Sequence, residues 1–425
     1  MRLADAARAR RWPVLLGAGL FVAVLAAGYY YNLTFVQLGL IDLGTRVVGL
    51  SRAQVSLWMA ALALVAFAVA LVAGVALDRT GASRDLLAKL RVLWAVVLIQ
   101  FLLTLVAPHL QSAAGFGVWV LVCAASLGVG MPATFALAVD LVPVADRGTV
   151  AAAAAGGAYF LANVYPLEWA VESFALAMSV AMAPAVLVLG YLAFRRPDLL
   201  DSLRGRSADD AFGVGRFCRP TAVSTRSYAL WSFVLLMFGV YFIDSLGFLR
   251  IIETPAYVST AWQSTDLGIR LLIAAVHVVA AAMAGVLYAN FGRRLLFVVV
   301  FGLFGFTNLL YVFDARAGLG NAPLVMPLLY SGTVSFYTVL NFAIWPDMST
   351  PDTIGRHAAL GVGLAGFLAT FLSTAVVLYA RNAGVTLETH LNAVDALALL
   401  FFLVVVVAVY VHRMVDLARD RGEPS

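Results

Sequence analysis

Long apolar runs dominate the chain, and short polar connections separate them. A helix needs about 20 mainly apolar residues to cross the hydrocarbon core of a bilayer. By that measure the sequence predicts twelve membrane-spanning helices, at 14–40, 53–77, 91–110, 115–142, 149–169, 173–194, 228–249, 267–290, 294–313, 323–346, 356–380 and 392–413. The first run follows basic residues, as in a signal peptide, but it continues to about Leu40, so we expect a retained span, with cleavage as the alternative.

A polar segment of mixed charge, rich in arginine and containing Gly and Pro, lies between the sixth and seventh runs, at 195–227. Such a composition is typical of a linker rather than of a folded domain. The sequence therefore predicts three parts: a six-helix bundle at 1–194, the linker, and a second six-helix bundle with a short tail at 228–425.

The basic residues indicate the orientation in the membrane, because cytosolic connections carry an excess of Arg and Lys. With the N-terminus inside, 22 of the 28 basic residues fall in cytosolic segments and 6 in outer ones. We therefore expect both termini and the linker to be cytosolic, in a multi-pass protein of a prokaryotic cytoplasmic membrane.

Composition agrees with a protein surrounded by lipid. The chain is 63% hydrophobic and only 12% charged, about half the charge of a soluble domain. Its net charge of +5 comes from short basic clusters without interleaved aromatic residues, so no nucleic-acid partner is expected. Cys123 and Cys218 have neither disulfide nor metal-ligand spacing. We expect no cofactor, no metal, a small-molecule substrate and a monomer in the bilayer.

The two halves repeat each other loosely. GVALDRTG at 74–81 recurs as GVLYANFG at 285–292, an offset of 211. The segment from Asp140 to Gly148 recurs between Asp347 and Arg356, at an offset of 207 to 209. Landmarks that recur at nearly the same offset predict two pseudo-symmetric bundles around a central seam, as in transporters with a site near the midplane.

Charge concentrates in the connection between the second and third spans, GVALDRTGASRD. Gly74, Asp78, Arg79 and Gly81 match the Gly-x-x-x-Asp-Arg-x-Gly loop of the major facilitator superfamily, which this sequence resembles. Arg84 stands near the trailing basic positions of that motif. The resemblance implies an all-α integral membrane protein of twelve helices in two six-helix bundles, which works as a secondary transporter by alternating access.

A second feature of that family follows the fourth span, where Pro143, Arg147 and Gly148 match its Pro-x-x-x-Arg-Gly pattern. Asp140 and Arg147 are similar in spacing to an acidic–basic pair of the sugar-porter branch. Asp78 is expected beside the positively polarised N-terminus of the eleventh span. There its carboxylate would hold the two halves together on the cytosolic side and act as a gate. Four further charged residues would complete this cytosolic gate: Arg79, Arg84, Asp140 and Arg147. The alternative is that these are solvated loop charges.

Ionisable residues inside the membrane are costly, so each is a functional hypothesis. Asp244 in the seventh span is the strongest candidate, to bind a proton or a cationic group of the substrate, and His277 in the eighth span would assist it. The alternative for Asp244 is a structural role as the partner of Arg250 or Arg270. The alternative for His277 is a hydrogen bond to a neighbouring helix. Further polar candidates for the cavity lining are Tyr30, Asn32, Gln37, Asn163, Tyr337 and Asn341.

Two departures from the family limit the functional prediction. The span-four arginine of many proton-driven members is absent around Ala124, and the span-five Gly-Pro signature of drug antiporters is missing. Proton-coupled symport, uniport and efflux of hydrophobic compounds stay open, as does a transporter-shaped sensor. A membrane-embedded enzyme is disfavoured, because no cluster of nucleophiles, carboxylates or histidines stands near one interface.

Overall fold

The computed structural model describes residues 2–165, 170–195, 198–218, 222–291, 293–318 and 323–420, and these form helices joined by loops, without a β-strand. We label the twelve long helices α1 to α12 in chain order. Their bounds are Trp12–Val47 (α1), Arg52–Arg79 (α2), Leu86–His109 (α3), Ala113–Leu141 (α4), Arg147–Val164 (α5), Val171–Arg195 (α6), Tyr228–Ile251 (α7), Leu267–Asn290 (α8), Arg293–Ala317 (α9), Val325–Asp347 (α10), Ile354–Asn382 (α11) and Leu387–Asp420 (α12).

Among the described residues, ten of these helices are long and apolar enough to cross a membrane. The other two, α5 and α10, coincide with predicted spans but carry more polar and small residues. Both are largely buried against neighbouring helices, so their side chains meet protein more than lipid and need not be apolar. The all-helical membrane fold is confirmed, and the count of twelve spans stays a prediction.

Helices α1 and α12 extend furthest beyond their predicted bounds. α1 continues past Leu40 to Val47, and α12 begins at Leu387 and continues to Asp420. A helix satisfies its own backbone hydrogen bonds, so it can continue into polar sequence where hydropathy no longer marks a span. α1 is π-helical over Asn32–Gly39 and Leu43–Val47, a local widening that hydrophobic periodicity does not reveal.

Polar residues set the starts of several helices. Ser51 and Gln54 form a reciprocal capping box before α2, and the carboxylates of Asp85 and Asp266 accept backbone N–H groups at the starts of α3 and α8. Each cap satisfies a backbone donor that the first helical turn leaves unpaired. These short polar residues therefore fix where the apolar runs become helical.

The two halves meet along two helix pairs, α2 with α11 and α5 with α8. One continuous apolar core crosses this interface, since Ala154 and Ala155 of α5 belong to the same buried cluster as Ala281 and Ala284 of α8. Alanine and glycine let the helix axes approach closely, which is the usual solution for helix packing in a membrane.

Glycines mark the closest approach in both pairs. A Cβ atom on Gly74 of α2 would lie 2.4 Å from the carbonyl oxygen of Gly355 in α11, and one on Gly285 of α8 would lie 2.9 Å from that of Gly148 in α5. Gly74 and Gly285 are the repeat counterparts in the sequence, as are Gly148 and Gly355. The two crossings therefore occupy corresponding places in the two halves.

Candidate functional site

A cavity of about 1400 Å³ lies between the halves and is lined by residues of both. Asp42, Arg52, Glu253 and Arg381 line one end of it. That end is opposite the side where the linker joins the halves, which we call the linker face. The cavity opens away from the linker face, and contacts between the halves close the linker face.

Asp244 of α7 lies on the cavity wall and is half-buried. Its carboxylate accepts hydrogen bonds from two tyrosines of α10: Tyr337, whose Oη lies 2.8 Å from Oδ2, and Tyr330. Within the described part of the chain no basic side chain forms an ion pair with it. Arg250 donates instead to the carbonyl of Val385, so the structure provides no support for the alternative of an Arg250 partner.

Arg270, the other proposed partner of Asp244, lies elsewhere as well. Its Nε donates to the backbone carbonyl of Asn163 at 2.6 Å, which joins α8 to α5 across the interface between the halves. Asn163 itself is buried on the cavity wall, and its amide donates to the carbonyl of Tyr159. The alternative interpretation of Asp244 as an ion-pair partner of either arginine is therefore not what the structure shows.

Aromatic residues surround Asp244. Tyr241, one helical turn before it on α7, accepts a hydrogen bond from Asn341 at 2.7 Å. Asn341 in turn accepts one from the indole of Trp345 at 2.7 Å. The rings of Tyr241 and Tyr337 meet edge to face, with centroids 5.0 Å apart. Of the predicted lining residues, Tyr337 therefore hydrogen bonds to Asp244 directly, and Asn341 is connected to it through Tyr241, whose ring contacts Tyr337.

His277 of α8 lies on the cavity wall and is nearly fully buried. Its Nδ1 is 2.8 Å from the hydroxyl of Ser335 in α10, and its ring stacks on Tyr159 of α5, with centroids 4.2 Å apart. The Tyr159 hydroxyl contacts those of Tyr29 at 2.5 Å and Thr338 at 2.9 Å. His277 therefore belongs to a network that connects the two halves across the cavity floor, and it makes no contact with Asp244.

The candidates on α1 are placed less uniformly. Tyr30 and Asn32 line the cavity, and the Tyr30 hydroxyl donates to the carbonyl of Tyr165. The side chain of Gln37 lies outside the part that the structure describes. The cavity-lining residues Tyr29, Tyr159 and Tyr330 are not marked in the sequence, because a buried aromatic residue at helical spacing has the same pattern as ordinary core. The one available signal was the spacing of seven between Tyr330 and Tyr337, which places both on one face of a helix.

Asp78 lies at the linker face and reaches the opposite half. Oδ1 accepts the backbone N–H of Gly355 at 3.0 Å, and Oδ2 accepts the N–H of Arg356 at 2.9 Å and its Nε at 3.1 Å. Only 3% of the Asp78 side chain is exposed. The carboxylate therefore caps the N-terminus of α11, where unpaired N–H groups favour an anion.

The other residues of the proposed charge cluster separate into different environments. Arg84 forms an exposed ion pair with Asp352, across the two halves, which holds the pKa of the Asp352 carboxyl below its usual range. Exposed pairs of this kind contribute little, about 0–1 kcal/mol. Arg79 is exposed and forms no ion pair within the described residues. Gly81 has φ +75° at the turn that precedes Arg84, a conformation that glycine adopts without strain.

Asp140 is not at the gate between the halves, contrary to the expectation of one charge cluster. It is fully buried and pairs with Lys89 of α3, in its own half. The Lys89 ammonium also donates to the carbonyls of Ser83 at 2.8 Å and Ala136 at 3.1 Å. The sequence does not reveal this pair, because Lys89 stands at the start of an apolar run, where a basic residue is also explained by the positive-inside bias.

Arg147 crosses to the second half, but to a partner that the sequence did not indicate. Its Nη1 lies 2.7 Å from the carbonyl of Pro346 and 3.1 Å from Oδ1 of Asp347, and both Arg147 and Asp347 are buried. The hydroxyl of Tyr288 donates to the other oxygen of Asp347 at 2.7 Å. A second polar contact between the halves thus stands beside the Gly148–Gly285 crossing, as Asp78 stands beside the Gly74–Gly355 crossing.

No family model matches this sequence, and no curated protein does. Among solved structures the chain is similar to a proton:xylose symporter of the major facilitator superfamily, XylE, bound to 6-bromo-6-deoxy-D-glucose, with a TM-score of 0.64, 13% identity and coverage of 91% of this chain and 94% of that one. It is also similar to the human organic anion transporter TETRAN, with a TM-score of 0.60, 16% identity and coverage of 92% and 99%. Neither alignment leaves a large part of the chain unmatched. The chain therefore has the fold of the major facilitator superfamily.

Proposed function

We propose that this protein is a secondary transporter that moves a small organic solute across the membrane by alternating access. The observation that carries this proposal is the cavity between the halves, open at one end and closed at the other by polar contacts of Asp78 and Arg147. A pathway blocked at one end by hydrogen bonds and ion pairs can reopen, since those groups regain partners in water.

The positive-inside bias supports an orientation with the linker face in the cytosol, so the described conformation would face outward. In an alternating-access cycle the halves would rock about the two glycine crossings. The hydrogen bonds of Asp78 to α11 would break, and the cavity would open toward the cytosol. Asp244 and His277 are the groups proposed to hold the substrate or a coupling proton. The solved structures named above differ in substrate, a sugar in one and organic anions in the other, so the substrate does not follow from the fold.

The experiment has two stages. A thermal-shift screen of the purified protein against metabolite classes identifies binders, and uptake into proteoliposomes, with and without a pH gradient, then tests transport and proton coupling. We expect saturable uptake of at least one binder. Binding without any uptake in either direction would favour the non-transporting sensor and contradict the proposal.

A further inference from the structure

We propose that the substrate is a small organic cation with an apolar body, held by Asp244 and the aromatic side chains around it. This inference rests on the proposed transport function and names the substrate class of the same cavity. It depends on three features of the cavity wall: the ion pairs of its charged residues, the acceptor positions that remain free on the Asp244 carboxylate, and the aromatic rings beside that carboxylate.

Three of the four charged residues named at the cavity mouth are already paired. Asp42 accepts from Arg46 at 2.8 Å, and Glu253 pairs with Arg381. Arg52 is exposed at the rim. Deeper in the cavity, Asp244 is the acidic residue of the described lining that pairs with no described basic side chain.

The carboxylate of Asp244 has capacity left for a ligand. An ionised carboxylate offers about four acceptor positions, and the hydroxyls of Tyr330 and Tyr337 use two of them. These neutral donors orient the group but leave its charge uncompensated. A cationic ligand would compensate that charge in a site of low dielectric, whereas an anion would be repelled there.

Aromatic rings on both walls provide the second part of recognition. Tyr241 and Phe248 flank Asp244 by one turn on either side of α7, and Tyr29 and Phe342 approach each other edge to face, with centroids 5.1 Å apart. Aromatic faces bind alkylammonium-like cations by cation–π attraction. The cavity volume of about 1400 Å³ exceeds that of ordinary ligand pockets, about 300–1,000 Å³, so it has room for the apolar body of such a cation.

The test uses two ions of the same shape and opposite charge, tetraphenylphosphonium and tetraphenylborate. Binding to the purified protein is measured by calorimetry. We expect the phosphonium to bind at least tenfold more tightly than the borate. Asp244→Asn should reduce phosphonium affinity at least tenfold, and Asp244→Glu should retain more of it. The matched control is Asp395→Asn, which removes a buried carboxylate of α12 outside the cavity lining and should leave binding unchanged.

Equal binding of both ions, or an Asp244→Asn variant that binds the phosphonium as the parent does, overturns the cation proposal. Its failure can be told from failure of the proposed function. If a sugar or an organic anion enters proteoliposomes while cations do not, the substrate class is wrong and the transport function stands. If no solute of any class moves, both fall.

A separate observation concerns the linker, which crosses the closed face and contacts both halves. We infer that its segment Arg206–Cys218, here called the strap, must lift before the cavity can open at the linker face. On the first half, the carbonyl of Phe212 accepts from Nη2 of Arg147, and the carbonyl of Ala211 accepts the N–H of Val144 at 2.9 Å. The strap is therefore seated on the first half by polar contacts.

On the second half, the N–H of Gly215 donates to the carbonyl of Ser349 at 2.9 Å. Arg216 pairs with the buried Asp347 at 3.1 Å and lies over the ring of Tyr288, 4.7 Å from its centroid. A Cβ on Gly215 would lie 2.4 Å from the Asp347 carbonyl oxygen. Arg216 of the strap is therefore a second cation beside Asp347, in addition to Arg147. Separating the halves would break the contacts of the strap with one of the two halves.

Cys218 is a native reporter of strap release, because its thiol is free and only 4% of the residue is exposed. Burial also raises the pKa of the Cys218 thiol, which slows its reaction with maleimides while the strap is seated. In a Cys123→Ala background, Arg216→Gln should accelerate Cys218 labelling at least fivefold, because Asp347 then loses the linker cation. Gly215→Ala should act in the same direction.

The matched control is Arg204→Gln. Arg204 belongs to the linker, is largely exposed and pairs only weakly with Asp201, at 3.8 Å, so labelling should not change. A second readout, the distance between spin labels at Thr80→Cys and Ala289→Cys, should increase for Arg216→Gln as the linker face opens. Faster labelling without that increase would show local loosening and overturn the inference, as would an unchanged labelling rate.

Discussion

At the scale of single residues, the closed face depends on side chains that are absent as much as on those that are present. Gly355 stands where a Cβ would lie 2.5 Å from the carbonyl oxygen of Gly74 and 2.7 Å from Oδ1 of Asp78. No side chain fits that space without moving helix α2 away from α11. The hydrogen bonds of Asp78 therefore depend on the glycine beside it.

Gly355→Ala should accordingly shift the protein toward an open linker face. Overpacking typically costs about 1–3 kcal/mol, enough to change the populations severalfold. The distance between spin labels on Thr80→Cys and Ala289→Cys measures this shift. Gly157→Ala is the matched control, because an added Cβ there meets no atom within 4 Å. An unchanged distance distribution in Gly355→Ala would contradict this close packing of α2 on α11.

At the scale of elements, the Lys89–Asp140 pair joins α3 to α4 inside the first half. Breaking a buried pair leaves an uncompensated charge and typically costs about 3–5 kcal/mol, whereas replacing both partners by apolar residues is often neutral. The pair is therefore expected to fix the packing of this half rather than to move in the cycle.

Lys89→Met alone and Asp140→Leu alone should each lower the thermal unfolding midpoint of the purified protein markedly. The double variant should recover much of that loss, because no buried charge remains unpaired. Melting curves in detergent compare the four proteins. If the double variant were as unstable as the sum of the single ones, the coupling between the two side chains would be absent.

At the scale of the whole molecule, the two halves are held in one arrangement by few polar contacts and a seam of small residues. Asp78 on α2 and Arg147 on α5 each reach a helix end of the opposite half. Because both contacts lie at one end, their loss frees that end while the alanine-rich seam persists. We therefore expect the halves to rock rather than to separate.

Asp78→Ala should leave membrane insertion intact and shift the population toward an open linker face. The reason is that the first-turn N–H groups of α11 then lose their anion and can be satisfied by water. Cytosolic accessibility of a single cysteine placed on the linker-facing wall of the cavity, such as Phe135→Cys, reports the shift. Arg79→Ala, at an exposed position without an ion pair in the described residues, is the control. Equal accessibility in both variants would count against this role of Asp78.

Much of the fold was present in the sequence. Apolar runs of membrane length predicted the helices, although α3 begins at Leu86, after its cap at Asp85, and not at 91. The repeat of Gly74 as Gly285 pointed to two related halves. Such features are local or periodic, so they can be read along a chain without knowing what it packs against.

Only the tertiary structure reveals the partners of the charged residues. Lys89 pairs with Asp140, Arg147 pairs with Asp347, and Asp244 accepts hydrogen bonds from two tyrosines of α10. Each pair joins residues far apart in the sequence, and hydropathy treats every such charge alike. By itself the sequence determined that this is a helical membrane protein, and it predicted two related halves. Only the packing of helix against helix decided which charges close one face and which carboxylate faces the cavity, because pairing depends on distance in space.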